Sequence, residues 1–80
     1  MDQGLRNKIQ ELRNKASFFL SNEISAFIKD KNNSYYFCKI LPSNETHLIL
    51  YNFEGKKKDT ESKILWVDVK SINEYEKKNG

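Results

Sequence analysis

The segment that decides the fold runs from residue 23 to residue 75 and reads EISAFIKDKNNSYYFCKILPSNETHLILYNFEGKKKDTESKILWVDVKSINEY. It holds three alternating apolar runs, each closed by a turn, and then a fourth apolar segment; they cover residues 24–28, 35–41, 48–53 and 64–72. Closely spaced short strands are typical of a meander that closes into a small barrel. The sequence therefore predicts a mainly β fold, in which an N-terminal α-helix precedes a five-stranded antiparallel small barrel over about residues 23–75.

The preceding residues, 3 to about 20, have a helical period. Apolar side chains recur there at steps of four and three: Leu5, Ile9, Leu12, Ala16 and Phe19. The favoured interpretation is that this stripe docks on the barrel or closes one of its ends. A dimerising helix and a basic helix lying on phosphates remain as alternatives. Residues 21–22 are expected to end the helix.

The turns and the C-terminal end complete the predicted organisation. Turns are expected at 30–34, where paired asparagines tolerate positive φ, at 42–45, and in a charged connection from 54 to about 62. Residues 68–70 are predicted to form a single helical turn before a last strand at 71–75, and residues 76–80 a polar tail.

Length and composition limit the chain to one small domain. It has 80 residues, 38% of them hydrophobic, so the core is expected to be small. Oligomerisation would add to its stability. No apolar run approaches the roughly 20 residues that span a bilayer, and the N-terminus does not have the pattern of a signal peptide. The single cysteine, Cys38, excludes an internal disulfide. These features favour a cytoplasmic protein with no membrane partner, and Met1 favours a complete chain.

The charge balance permits a nucleic-acid partner. The net charge is +3, and 12 of the 14 basic residues are lysine. Lysine is a flexible point charge that suits backbone phosphates better than base edges.

One end of the predicted barrel gathers the candidate binding residues, because the first-to-second and third-to-fourth loops project from the same end. The candidates are lysines and aromatic residues, namely Lys31, Tyr35, Tyr51, Phe53, Lys56, Lys57 and Lys58, joined by Lys29 and by the opposing charges of Asp30, Glu54 and Asp59. Ammonium groups would follow phosphates while rings stack on the bases of a single strand. The same aromatic residues with an acid could instead cage a cationic side chain. The simplest alternative is that the lysines keep the turns soluble while the aromatic rings fill the barrel.

No group of residues supports an enzyme, a metal site or a cofactor. His47, the only histidine, is expected at the start of a strand in a solvated or cross-strand position. Cys38 is expected to be a buried structural thiol. The chain has only 3 glycines and no phosphate-binding glycine loop. Trp66 is expected in the core or against the helix.

The order of a helix, five short strands and a one-turn helix before the last strand resembles SH3-like and Sm-like small barrels. Residues 63–72 are similar to the closing segment of those folds, a hydrophobic pair, a short turn, a hydroxyl and an isoleucine. The Arg-Gly pair of the Sm-like RNA pocket is absent, so neither that pocket nor a ring is implied. Tyr35-Tyr36 and residues 51–55 also look like the cage positions of a tudor-like barrel, although three lysines follow here.

Two functions follow as expectations. The first is a non-enzymatic protein that binds nucleic acid, RNA or DNA, through phosphate contacts and base stacking. The second is a module that binds a protein or peptide and forms a homo-oligomer or recruits a partner.

Overall fold

The structure, a computed structural model, describes residues 3–76. It contains one α-helix and a five-stranded antiparallel sheet, so the predicted mainly β class with an N-terminal helix is confirmed. The elements are α1 (Gln3–Ser21), β1 (Ser25–Asp30), β2 (Tyr35–Ile40), β3 (His47–Glu54), β4 (Thr60–Leu65), a single 3-10 turn (Trp66–Asp68) and β5 (Val69–Glu74).

The sheet is strongly curved. Its strand order is β4-β3-β2-β1-β5, so the two outermost strands are also consecutive in the chain. In a flat sheet four strand spacings would separate them by about 19 Å. The 3-10 turn between them, Trp66–Asp68, has three residues and spans only about 8 Å. The sheet must therefore curl until its edges approach each other at this end.

Alternation along the strands separates an inner face from an outer face. The inner positions and one side of the helix form one continuous core: Leu12, Ala16, Phe19, Ala26, Ile28, Cys38, Ile40, Leu48, Leu50, Ile64, Trp66, Val69 and Ile72. The predicted stripe of α1 thus docks on the sheet through Leu12, Ala16 and Phe19, whereas Leu5 and Ile9 are only partly buried. In residues 3–76 no helix combines the length and apolar character required to cross a membrane.

The connection between β4 and β5 lies two residues earlier than predicted. The 3-10 turn occupies Trp66–Asp68 rather than 68–70, and β5 begins at Val69 rather than Ser71. The indole explains the shift, because it is 4% exposed and its Nε1 donates to the carbonyl oxygen of Asn44 at 2.8 Å. With Trp66 held in the core, the buried Val69 becomes the first inner residue of β5. Strand β4 also begins earlier than predicted, at Thr60, and positions 77–80 of the predicted tail lie outside the described residues.

Candidate nucleic-acid interface

Two loops meet at one end of the sheet, which we call the rim (residues 30–35 and 54–59). The β1–β2 and β3–β4 hairpins place their loops at this same end, as their antiparallel order requires. The loops touch through Lys57, whose Nζ lies 4.7 Å from the centre of the Tyr36 ring. Positive φ at Asn33 (63°) and Gly55 (88°) allows the tight turns, as predicted for the asparagine pair.

Asp30 organises the first of these loops. Its carboxylate accepts hydrogen bonds from the backbone N–H groups of Asn32 (2.9 Å) and Ser34 (3.0 Å) and from the Tyr36 hydroxyl (2.9 Å). Burial raises the pKa of Asp30, but these hydrogen bonds and the charge of Lys57 outweigh it, so the net pKa is lowered. Asp30 is 7% exposed and is therefore a structural anion, not a surface charge that opposes the rim lysines.

The predicted rim lysines differ in whether another side chain of the protein already contacts them. Lys31 forms an ion pair with Asp68 at 2.8 Å, and that hydrogen bond and charge raise the pKa of Lys31. Lys57 rests on the Tyr36 ring. Lys56 and Lys58 are exposed, and within residues 3–76 neither has a carboxylate at ion-pair distance. A phosphate would therefore meet the least competition at Lys56 and Lys58.

The aromatic side chains of the sheet do not fill the core, since most of them stand on its outer side. There five rings form a contiguous group that we call the aromatic face: Phe27, Tyr35, Phe37, Phe53 and Tyr75. The Phe27 ring stacks on Tyr35 and tilts against Phe37, each with centroids 5.2 Å apart. The Tyr75 ring makes edge-to-face contacts with Phe37 at 5.3 Å and with Phe53 at 5.6 Å between centroids. Tyr35 is the most open of them, 49% exposed.

Lysines border the aromatic face along two strands. Lys29, at the rim end of β1, places its Nζ 5.3 Å from the centre of the Tyr35 ring. Lys39 is exposed on β2, two residues beyond Phe37 and therefore on the same side of the sheet. The acid Glu54 is engaged, because it accepts a hydrogen bond from the Tyr75 hydroxyl at 2.5 Å. The border of the face thus carries the ammonium groups of Lys29 and Lys39 together with the carboxylate of Glu54.

Tyr51 lies on the outer side without joining this group of rings. It pairs across the strands with Lys39 and Glu61, and its hydroxyl donates to Asp59 at 2.8 Å. That hydrogen bond raises the pKa of Tyr51. Of the three predicted aromatic residues, the structure thus brings Tyr35 and Phe53 together and leaves Tyr51 beside them.

A cleft of about 260 Å³ joins the rim to the aromatic face. Phe37 and Lys56 both line it. At its edge Gly55 lies so close that an added Cβ would stand 3.8 Å from the Phe37 ring. Lys56 can therefore reach a ligand that rests on the rings.

The sequence-based site did not include Phe27, Phe37 or Tyr75. Two of them carried a usable signal, because Phe27 lies between the inner residues Ala26 and Ile28, and Phe37 precedes the inner Cys38. The helix packs into the inner core and does not cover the outer side of the sheet, where the rings cover one another.

The residues considered for catalysis are placed as expected. Cys38 is fully buried, and burial raises its pKa to about 12. His47 opens β3, with Nδ1 2.8 Å from the Thr46 hydroxyl oxygen. Among residues 3–76 no group of three or more acidic, histidine or cysteine side chains is arranged to hold a metal ion. Comparisons with protein-family models, with curated proteins and with solved structures gave no match to this chain.

Proposed function

We propose that this protein binds single-stranded nucleic acid, RNA or DNA, without catalysing a reaction, and that it does so on the aromatic face and the adjoining rim lysines. The observation that carries the proposal is the position of the five rings, which lie outside the core with lysines along their border. A base would stack on the exposed part of the Tyr35 ring and pack edge-to-face against the neighbouring rings. Lys29 and Lys39, which border the aromatic face, and the rim lysine Lys56 would contact the phosphates.

A single strand fits this surface better than a duplex, because the bases of a duplex are already stacked and paired. A caged cationic side chain fits it less well. Lys29 and Lys57 stand beside the two tyrosine rings closest to the rim, and their charges would repel a cationic side chain. The net charge of +3 also favours an anionic ligand.

The element order supports the further proposal that the sheet is an SH3-like or Sm-like small barrel. A helix precedes five short strands, and a one-turn helix connects two strands that lie at opposite edges of the sheet. Such small barrels commonly present one face to a ligand.

Fluorescence anisotropy with labelled oligonucleotides tests the function. Single-stranded RNA, single-stranded DNA and a duplex are titrated at low and at moderate salt. We expect the single strands to bind more tightly, with an affinity that falls as salt rises. The Tyr35→Ala variant should weaken binding about tenfold, which corresponds to the loss of about one stacked base. The triple variant Lys56→Glu, Lys57→Glu, Lys58→Glu should abolish it.

The single variant Lys56→Glu should also weaken binding, and its matched control is Lys8→Glu, which makes the same charge change on the exposed side of α1 and should have little effect. Salt-insensitive binding, or equal losses in Lys8→Glu and in Lys56→Glu alone, would refute the proposed interface. Absence of binding at low salt would refute the function itself.

A further inference from the structure

A second surface with ligand-binding character lies between α1 and the corner where β4 meets the 3-10 turn. It is a groove of about 400 Å³, larger than the cleft at the rim. Its lining is partly apolar, and the residues that form it are Arg6, Ile9, Gln10, Arg13, Glu45, Thr46, Leu65, Trp66 and Val67. Leu65 is 43% exposed and Val67 is 48% exposed, so two aliphatic side chains of the groove face water. Exposed apolar groups in a concave site are what a binding partner buries.

Both arginines of the chain border this groove. Arg6 and Arg13 are one heptad apart, so they lie on the same side of α1 about 10.5 Å from each other. Within the described part of the chain, neither guanidinium has a carboxylate at ion-pair distance, although Glu45 also lines the groove. The guanidinium group is planar and forms paired hydrogen bonds with a carboxylate. The two unpaired forks are therefore available to acidic side chains that span about two helical turns.

We propose that this groove binds an acidic segment of a partner protein, whose carboxylates pair with Arg6 and Arg13 and whose apolar side chains pack on Leu65 and Val67. Charge complementarity decides the occupant. Two arginines and one glutamate give the groove a positive sign, and the whole chain is positive as well. A second copy would bring like charges together.

Nucleic acid is the less suitable occupant of this groove. Its one aromatic ring, that of Trp66, is 4% exposed and offers no stacking surface. The apolar floor formed by Leu65 and Val67 would be left against phosphates and sugars. The groove thus differs in chemistry from the aromatic face, and the proposal is independent of nucleic-acid binding.

The test uses a synthetic 12-residue peptide of glutamate and leucine and a matched peptide in which lysine replaces every glutamate. Each is titrated into the full-length, ¹⁵N-labelled protein, and amide chemical shifts give both the affinity and the location. We expect the acidic peptide to bind and to shift the amides of Leu65 and Val67, whereas the lysine peptide has no effect.

The double variant Arg6→Glu, Arg13→Glu should weaken binding of the acidic peptide at least about tenfold. Its control is the double variant Lys8→Glu, Lys15→Glu, which makes the same charge change on the same helix. Lys8 and Lys15 are also one heptad apart and exposed, but they do not line the groove, so the expected change is under about threefold. Val67→Asn, a neutral change at an exposed site, tests the apolar contact separately and remains informative if the arginine variant does not fold.

Equal losses in the arginine and lysine double variants would overturn the proposal, since they would indicate general electrostatic attraction. Shifts confined to other surfaces, or unchanged affinity in Val67→Asn, would also overturn it. A single-stranded oligonucleotide that shifts Leu65 and Val67 would assign the groove to nucleic acid instead. Single-stranded RNA or DNA binding that survives in the arginine variant would separate the two sites.

Discussion

Cys38 shows how completely the inner face excludes water. Its side chain is fully buried on β2, and burial raises the pKa of the thiol to about 12, so almost no thiolate is present at neutral pH. We expect iodoacetamide to modify it at pH 8 only when the protein unfolds. Ser43→Cys, at an exposed position, provides the matched control and should react at the rate of a free thiol. Equal rates for the two cysteines in the folded protein would contradict the burial.

Asp30 makes the stability of the folded protein depend on pH. Its folded pKa is lower than the ordinary value of 3.8, so the unfolded chain takes up the proton first as the pH falls. The stability that Asp30 contributes is present above about pH 4 and is lost as the pH falls through the folded pKa. We expect Asp30→Asn to lower the free energy of unfolding by about 1–3 kcal/mol at pH 7. The hydrogen bonds that the charged carboxylate accepts would be replaced by weaker bonds to a neutral amide.

Urea unfolding at pH 7, 5 and 3 measures this dependence. The difference between the wild type and Asp30→Asn should shrink between pH 5 and pH 3. A difference that stays constant over this range would mean that the carboxylate charge is not what stabilises the loop. Asp59→Asn, at an exposed position of the other rim loop, serves as a comparison.

Among the elements, the end of α1 carries local strain. The N–H of Ile24 donates to Phe19 O at 2.9 Å and that of Glu23 to Leu20 O at 3.3 Å, which is a Schellman motif. This motif places Glu23 in the left-handed region, with φ of 53°, where glycine is preferred. We expect Glu23→Gly to raise the free energy of unfolding by about 0.5–1 kcal/mol, as measured in urea.

The control for this change is Glu23→Ala, which removes the carboxylate but keeps a Cβ and therefore the strain. It should give no gain. A gain of the same size in the alanine variant would assign the effect to the charge of Glu23 and not to its backbone conformation.

The local sequence pattern predicted the strands themselves, but it located their ends less accurately. Alternation predicted β1, β2 and β3 to within two residues at either end, because inner and outer positions follow a period of two. The position of the 3-10 turn was missed by two residues. It depends on the hydrogen bond from Trp66 to Asn44, a residue 22 positions away that no local pattern specifies.

At the scale of the whole molecule, helix and sheet share one core. Leu12, Ala16 and Phe19 belong to the same buried cluster as the inner residues of all five strands. We therefore expect α1 and the sheet to unfold together. Far-UV circular dichroism at 222 nm and the fluorescence of Trp66 should give the same midpoint in urea. A helical signal lost at lower urea than the tryptophan signal would mean that α1 is a separate unit.

One part of the candidate site could be predicted from the sequence, and another part could not. That the two loops share an end followed from the order of antiparallel strands, so the rim could be predicted. Whether a given lysine lacks an ion-pair partner could not be predicted. Lys31 meets Asp68 only because the chain returns to the rim through the 3-10 turn. Likewise the aromatic face forms only because Tyr75, directly after β5, reaches Phe37 and Phe53 on strands that do not adjoin β5.

The class of fold, the order of the elements and the alternation of side chains between the two faces of each strand all followed from the amino-acid sequence. These are properties of residues close together in the chain, and periodicity records them. The face of the sheet that the helix covers and the contacts among the outer residues became apparent only from the three-dimensional arrangement. Those contacts depend on sheet curvature and on register, including the irregularity between Phe37 and Cys38, and both arise from packing between residues far apart in the chain.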